Sequence, residues 1–196
     1  VVTHKNLLNS ARAYAAYRAA DYDTLVVDIE ELYHQFGGGI FKNSISLKRF
    51  LNLTMDQWPK WPSHLFLIGK SVKPAPESYE PGSRKDTTSY ALNLVPTWGM
   101  PGSDNHYSTD IYSGSRYYLI PTGRLSASSN LEVTNYLQKM MELEDNQDPT
   151  SLYSIANKEW QKNVLHFGGG SDSAEQAYIN SWLNIYKNIV EDTLYG

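Results

Sequence analysis

The amino-acid sequence predicts an α/β fold: a three-layer sandwich with a mainly parallel central sheet and helices on both faces. Three observations point to it. Short apolar runs recur at residues 24–29, 65–68, 117–121 and 163–167, and segments of helical periodicity separate them. The runs are continuous and lack polar alternation, as expected of parallel strands covered on both faces. Two of the strand-to-helix steps carry capping-box spacing, Ser129 with Glu132 and Asp172 with Glu175.

In chain order, Leu7, Leu8, Ala11, Tyr14, Ala15 and Arg18 give a first helix with an apolar stripe, ending before Asp21. The run 24–29 follows as a strand, then a short helix over 29–36 that Gly37-Gly38-Gly39 stops. Leu47, Phe50, Leu51, Thr54, Met55 and Trp58 repeat at helical spacing until Pro59 and Pro62 end the element. Residues 65–68 are the second strand. This is a β-α-α-β unit, whose crossover is right-handed.

Residues 70–114 are rich in Pro, Gly, Ser, Tyr and Asp, with one apolar run at 90–95. They read as loops and an irregular hairpin over a strand end, and so long a stretch argues for function or lobe contact. The strand 117–121 then leads through Gly123-Arg124 into a helix starting near Asn130, whose Val133, Tyr136, Leu137, Met140 and Met141 line a buried face. Core packing is the plain reading of that Tyr and Met stripe. A last unit has residues 163–167 as strand, Gly168-Gly169-Gly170 as turn, and 173–194 as a helix burying Tyr178, Trp182, Ile185 and Ile189.

A chain of 196 residues with 41% hydrophobic content can bury a core as one large domain or as one lobe of a bigger enzyme. A net charge of -4, with basic residues scattered singly, argues against a nucleic-acid partner. No apolar run approaches the roughly 20 residues that span a bilayer. The chain contains 0 cysteines, so disulfides, Cys-ligated zinc and a thiol nucleophile are all excluded. It opens on Val1-Val2-Thr3 and stops after a helix, so it reads as a piece of a longer protein with its targeting signal elsewhere.

Several motifs fail. Gly69-Lys70-Ser71 follows a strand, but position 64 is His where a phosphate-binding loop needs glycine. The turn at 168–170 lacks the third glycine of a dinucleotide fingerprint and reads as a tight turn. His4, His34, His64, His106 and His166 show no i, i+4 pairing and no carboxylate at ligand spacing. No Gly-x-Ser-x-Gly elbow occurs. The sequence therefore assigns no catalytic residue, no cofactor and no metal. Its one candidate binding segment is Asp104, Tyr107 and Asp110, expected at the C-terminal edge of the sheet where open α/β folds place ligand clefts. Paired acids there can hold a cation such as calcium, although solvated loop carboxylates are the plainer reading.

Gly123, Arg124, Leu125, Lys139 and Glu144 resemble a signature of the gingipain-like cysteine peptidases, peptidase family C25. Tyr17-Arg18, the segment from Thr24 through Tyr33 to Phe36 and Gly37, Leu65-Phe66-Leu67-Ile68-Gly69, Val95-Pro96-Thr97 and Ser103 to Ser108 are similar to further family segments in the same order. The resemblance runs from about Ala11 to Phe167. Lys70 departs from it, standing where the family has Asp.

The resemblance implies that residues 1–196 are the N-terminal, caspase-like lobe of a secreted or cell-surface protein. The family's catalytic His-Gly and nucleophilic Cys would lie in a following lobe, the implied partner, and proteins or peptides would be the substrates. A sortase-like parent fits as well as an endopeptidase. Two other readings stay open: a degenerate homologue serving as a binding or secretion module, and a flavodoxin-like domain holding a small ligand at its strand ends.

Overall fold

The computed structural model describes residues 1–72, 86–99, 101–109, 117–147 and 159–192. They form two compact units, Val1–Met140 and Met141–Gly196. The first holds a four-stranded sheet: β1 (Val2–Thr3), β2 (Val27–Asp28), β3 (Leu65–Ile68) and β4 (Thr122–Leu125), all parallel in the order β2-β1-β3-β4. The α/β class and the parallel sheet are as expected.

Helices cover both faces. On one, α2 (Ile29–Phe36) and α3 (Ile45–Gln57) bury Ile29, Leu32, Tyr33, Leu47, Leu51 and Met55 against Val2, Leu65 and Leu67. On the other, α1 (Leu8–Arg18) and the start of α5 (Asn130–Gln147) bring Ala11, Tyr14 and Val133 onto Ile68, with Phe66, Tyr136, Leu137 and Met140 packed alongside. The pleat of β3 sends alternate residues to the two cores. An aromatic stack carries the second, with Tyr14 to Phe66 at 4.8 Å and Phe66 to Tyr136 at 5.9 Å between ring centroids.

Local chemistry sets the element ends. Asp28 caps α2 by accepting the Glu30 amide at 3.0 Å. Tyr33 O accepts the Gly37 and Gly39 amides at 3.1 and 2.8 Å, while Gly38 and Gly39 turn with φ of 63° and 76°, so the triple glycine ends the helix as predicted. At α5 the Ser129 hydroxyl accepts the Glu132 amide at 3.4 Å, and the Glu132 carboxylate accepts the Ser128 amide at 2.8 Å.

Several expectations are corrected. Val2–Thr3 forms a central strand, and 24–29 contributes only Val27–Asp28 because Ile29 already belongs to α2. The fourth strand is Thr122–Leu125 and not 117–121, whose Tyr117 and Tyr118 are exposed. Among the described residues of 70–114 a short helix, α4 (Thr87–Leu92), forms and no hairpin does. Residues 163–167 form no strand, and they leave Val164, Leu165 and Phe167 in solvent.

The second unit contains a 3-10 turn (Glu159–Lys162) and α6 (Ser173–Val190). The cap predicted for α6 forms, with the Glu175 amide donating to Asp172 at 2.9 Å. Its predicted buried stripe is exposed instead, at Tyr178, Trp182, Ile185 and Ile189. Ile179 and Leu183, on another side of the helix, face Gly168. In α5, Met141 is likewise exposed.

Candidate functional site

In a β2-β1-β3-β4 order the chain reverses direction across the sheet between β1 and β3, and open α/β folds place ligands beyond the C-terminal ends of strands at that point. Here the chain itself lies there. Gly69, directly after β3, has φ of +150°, and a Cβ on it would meet Val95 Cγ2 at 2.8 Å and Leu94 Cβ at 3.3 Å. The Lys70 carbonyl accepts both the Leu94 and Val95 amides, at 2.9 and 3.1 Å. Val95 is fully buried.

Three cations, on β4, on α3 and in the turn between α2 and α3, hold the segment. Arg124, on β4 opposite Leu67, has a side chain only 9% exposed. Its Nε and Nη2 grip the Asp104 carboxylate at 2.6 and 2.8 Å. Nη1 donates to Gly69 O at 2.6 Å and Val95 O at 2.8 Å, and Nη2 donates to Pro96 O at 3.1 Å. Every N–H of the guanidinium is thereby used. Lys48, buried on α3, donates to His106 O at 2.6 Å and Thr109 O at 3.0 Å, with the Trp98 ring 5.0 Å away. Lys42 donates to Tyr90 O and to Asn93 O, the latter at 2.6 Å, and burial lowers its pKa.

Of the residues singled out by sequence, Asp104 and Tyr107 come together in this assembly, on one 3-10 turn (Asp104–Ser108). Asp104 is the counter-ion of Arg124, and the buried Tyr107 hydroxyl donates to Pro96 O at 2.6 Å. Burial pushes the Tyr107 phenol far above its usual range. Asp110 lies outside the described residues.

Sequence reasoning missed a second cluster. His4, following β1, sets Nε2 3.1 Å from Glu30 Oε1, while Lys5 reaches the other Glu30 oxygen at 3.0 Å. His4 Nδ1 accepts the Asn6 amide at 3.2 Å, so the neutral ring carries its proton on Nε2. Burial lowers the His4 pKa, against the raising effect of Glu30 and Asp28. Recognising 1–3 as a strand would have placed both residues just beyond the ends of adjacent parallel strands. A His-carboxylate pair can shuttle a proton, but the chain has no cysteine for it to activate, and the neighbouring Thr3 hydroxyl is committed to Ile68 O at 2.8 Å.

A cavity of about 560 Å³ opens at the opposite, N-terminal edge of the sheet, lined by Tyr14, Phe50, Trp58, His64 and Phe66 with Arg18 and Asp23. Among the described residues no group of three or more His, Asp or Glu converges on a metal position. No described helix is long and apolar enough to cross a membrane.

Together these features define a parallel α/β fold in which the chain itself covers the ends of β3 and β4, in a sequence with no thiol nucleophile. The chain belongs to peptidase family C25, whose model matches residues 1–195. Among solved structures it is similar to the dimeric latent PorU from Porphyromonas gingivalis, at 17% identity and a TM-score of 0.58, across 88% of this chain. The match spans only 19% of that protein's length, and at such identity it bears on fold alone. Among curated proteins none matches.

Proposed function

We propose that this chain is the N-terminal, non-catalytic lobe of a gingipain-type cysteine peptidase or a sortase-like relative, and that it supports a Cys-His lobe farther along the parent protein. The observation that carries the reading is a family match over residues 1–195 in a chain with 0 cysteines. A family whose chemistry needs a thiolate must then supply it from elsewhere.

On this reading the lobe's work is mechanical. It buttresses the catalytic lobe, and the segment around Asp104 and Tyr107 walls one side of a cleft for protein or peptide substrates. The parent acts outside the cell or at its surface. A flavodoxin-like role is disfavoured by Leu94 and Val95, which lie against Gly69 where a ligand would sit.

The test compares the isolated chain with the full-length parent on Arg- and Lys-containing fluorogenic peptides under reducing conditions. Turnover by the parent alone is expected. Turnover by the isolated chain that survives stringent purification overturns the assignment.

A further inference from the structure

We propose that Arg124 is a positioning residue, the latch of a strap formed by the described residues between 93 and 109, and that the latched strap sets the geometry of the substrate-cleft wall. The second half of this proposal rests on the peptidase reading above; the first does not.

The latch is legible in the donor inventory. A guanidinium offers five N–H groups in a rigid fork, and here two close on one carboxylate while three go to backbone carbonyls. Those partners sit on both sides of a seam: Gly69 belongs to the end of β3, whereas Val95, Pro96 and Asp104 belong to the strap. Removing the fork therefore loosens one segment from the other without touching an α-helix, and leaves only the Lys70 carbonyl to hold the Leu94 and Val95 amides. Lys42 and Lys48 fasten the two ends of the same region, and between them Arg124, with the Lys70 carbonyl, sets its height above the sheet. Among the described residues of the fastened span the Ser103 amide donates to Trp98 O at 2.8 Å, and Gly99 turns at φ of 74°. Gly99, Pro101 and Gly102 are exposed, so the latch fixes where these residues stand. Because the fastening is mostly to carbonyls, it constrains the path of the strap and leaves its outward side chains free. Lysine cannot substitute, since a three-donor point charge cannot hold one carboxylate and three carbonyls at once.

The experiment uses the full-length protein with R124K, R124M and D104N. Hydrogen exchange is followed at the Leu94, Val95 and Ser103 amides, whose acceptors are Lys70 O and Trp98 O. We expect exchange at these positions to accelerate at least about tenfold in R124M and less in R124K, while amides of α2 and α3 keep their protection. In the same proteins KM for peptide substrates rises severalfold and kcat stays within about twofold, as for a wall that binds substrate and transition state alike. Unchanged exchange overturns the latch, and so does acceleration shared equally by α2 and α3. Faster strap exchange with unchanged KM overturns the cleft-wall role. An inactive wild-type parent counts against the peptidase reading, and the exchange arm still decides the latch. If R124M does not fold, D104N decides at the same amides, because it weakens the carboxylate grip and leaves the guanidinium in place.

Discussion

His4 has both ring nitrogens committed, Nε2–H to Glu30 and Nδ1 to the Asn6 amide, so a second proton can arrive only at an atom already facing a donor. Burial adds to this and holds the folded-state pKa below the ordinary 6.5. The folded state then binds fewer protons than the unfolded one, and stability is fully present above about pH 6.5 and is lost as pH falls through the depressed value. Glu30, Asp28, Lys5 and Lys42 are the charged groups that face the ring. Urea midpoints at about pH 7.5 and about pH 5.5 should differ in the wild type and differ less in His4→Asn, which keeps an acceptor for Asn6 and removes the titration. An equal slope in both proteins would assign the pH dependence to other groups. Tyr33 gives a second residue-scale expectation. Among the described residues its buried hydroxyl has no hydrogen-bond partner of good geometry, and burial pushes its pKa far up, against a smaller opposing effect of the Lys42 amide. Deleting an unsatisfied hydroxyl removes a cost, so Tyr33→Phe should be neutral or stabilising by up to about 1 kcal/mol in chemical denaturation. A loss of more than about 1 kcal/mol would mean the hydroxyl has a partner after all.

The elements that periodicity names are those whose apolar face is also their buried face. The strand 65–68 and the helices over 29–36 and 45–57 fall within a residue or so of expectation, because Leu65, Leu67, Ile29, Leu32, Leu47 and Leu51 enter the cores that their spacing implies. Pattern fails where another force decides. Tyr117, Tyr118 and Leu119 read as strand, yet the ladder with β3 is taken by Thr122–Leu125, where Arg124 spends its donors at the strand end. Nothing in a single sequence announces that pairing, since Arg124 and Asp104 are 20 residues apart and touch only once the sheet exists. The resemblance singled out Arg124 without a role, and Asp104 without its partner. Gly69 tests this seam at the element scale. Alanine there must both adopt φ of +150° and displace Val95 Cγ2, and overpacking of this kind costs about 1–3 kcal/mol. Val95→Ala removes the clashing methyl, so the double variant should recover part of the loss made by Gly69→Ala. Strict additivity in a double-mutant cycle would show that the two residues do not press on each other.

At the scale of the whole molecule, buried apolar side chains among the described residues all fall between Val2 and Val133, inside the unit Val1–Met140. Both cores, all four strands and the three cations of the strap are there too. The second unit shows the reverse, with α6 leaving Tyr178, Trp182, Ile185, Tyr186 and Ile189 exposed. Hydrophobic burial is the dominant favourable term in folding, so the first unit carries the stabilising core. A chain of this length, about three-quarters of the whole, lies well within the size range of domains that fold alone. Truncation after Gln147, where α5 ends, should therefore leave a cooperative two-state unfolding transition. Near-ultraviolet dichroism from the Tyr14, Phe66 and Tyr136 stack supplies the check on packing, because a collapsed but unpacked chain keeps its helices and loses that signal. A truncated chain with a broad, probe-dependent transition and no near-ultraviolet signal would show that residues 148–196 contribute to the core. The intact chain and the truncated one should share the same Arg124-dependent protection at Leu94 and Val95, since every contact of the latch lies before residue 125.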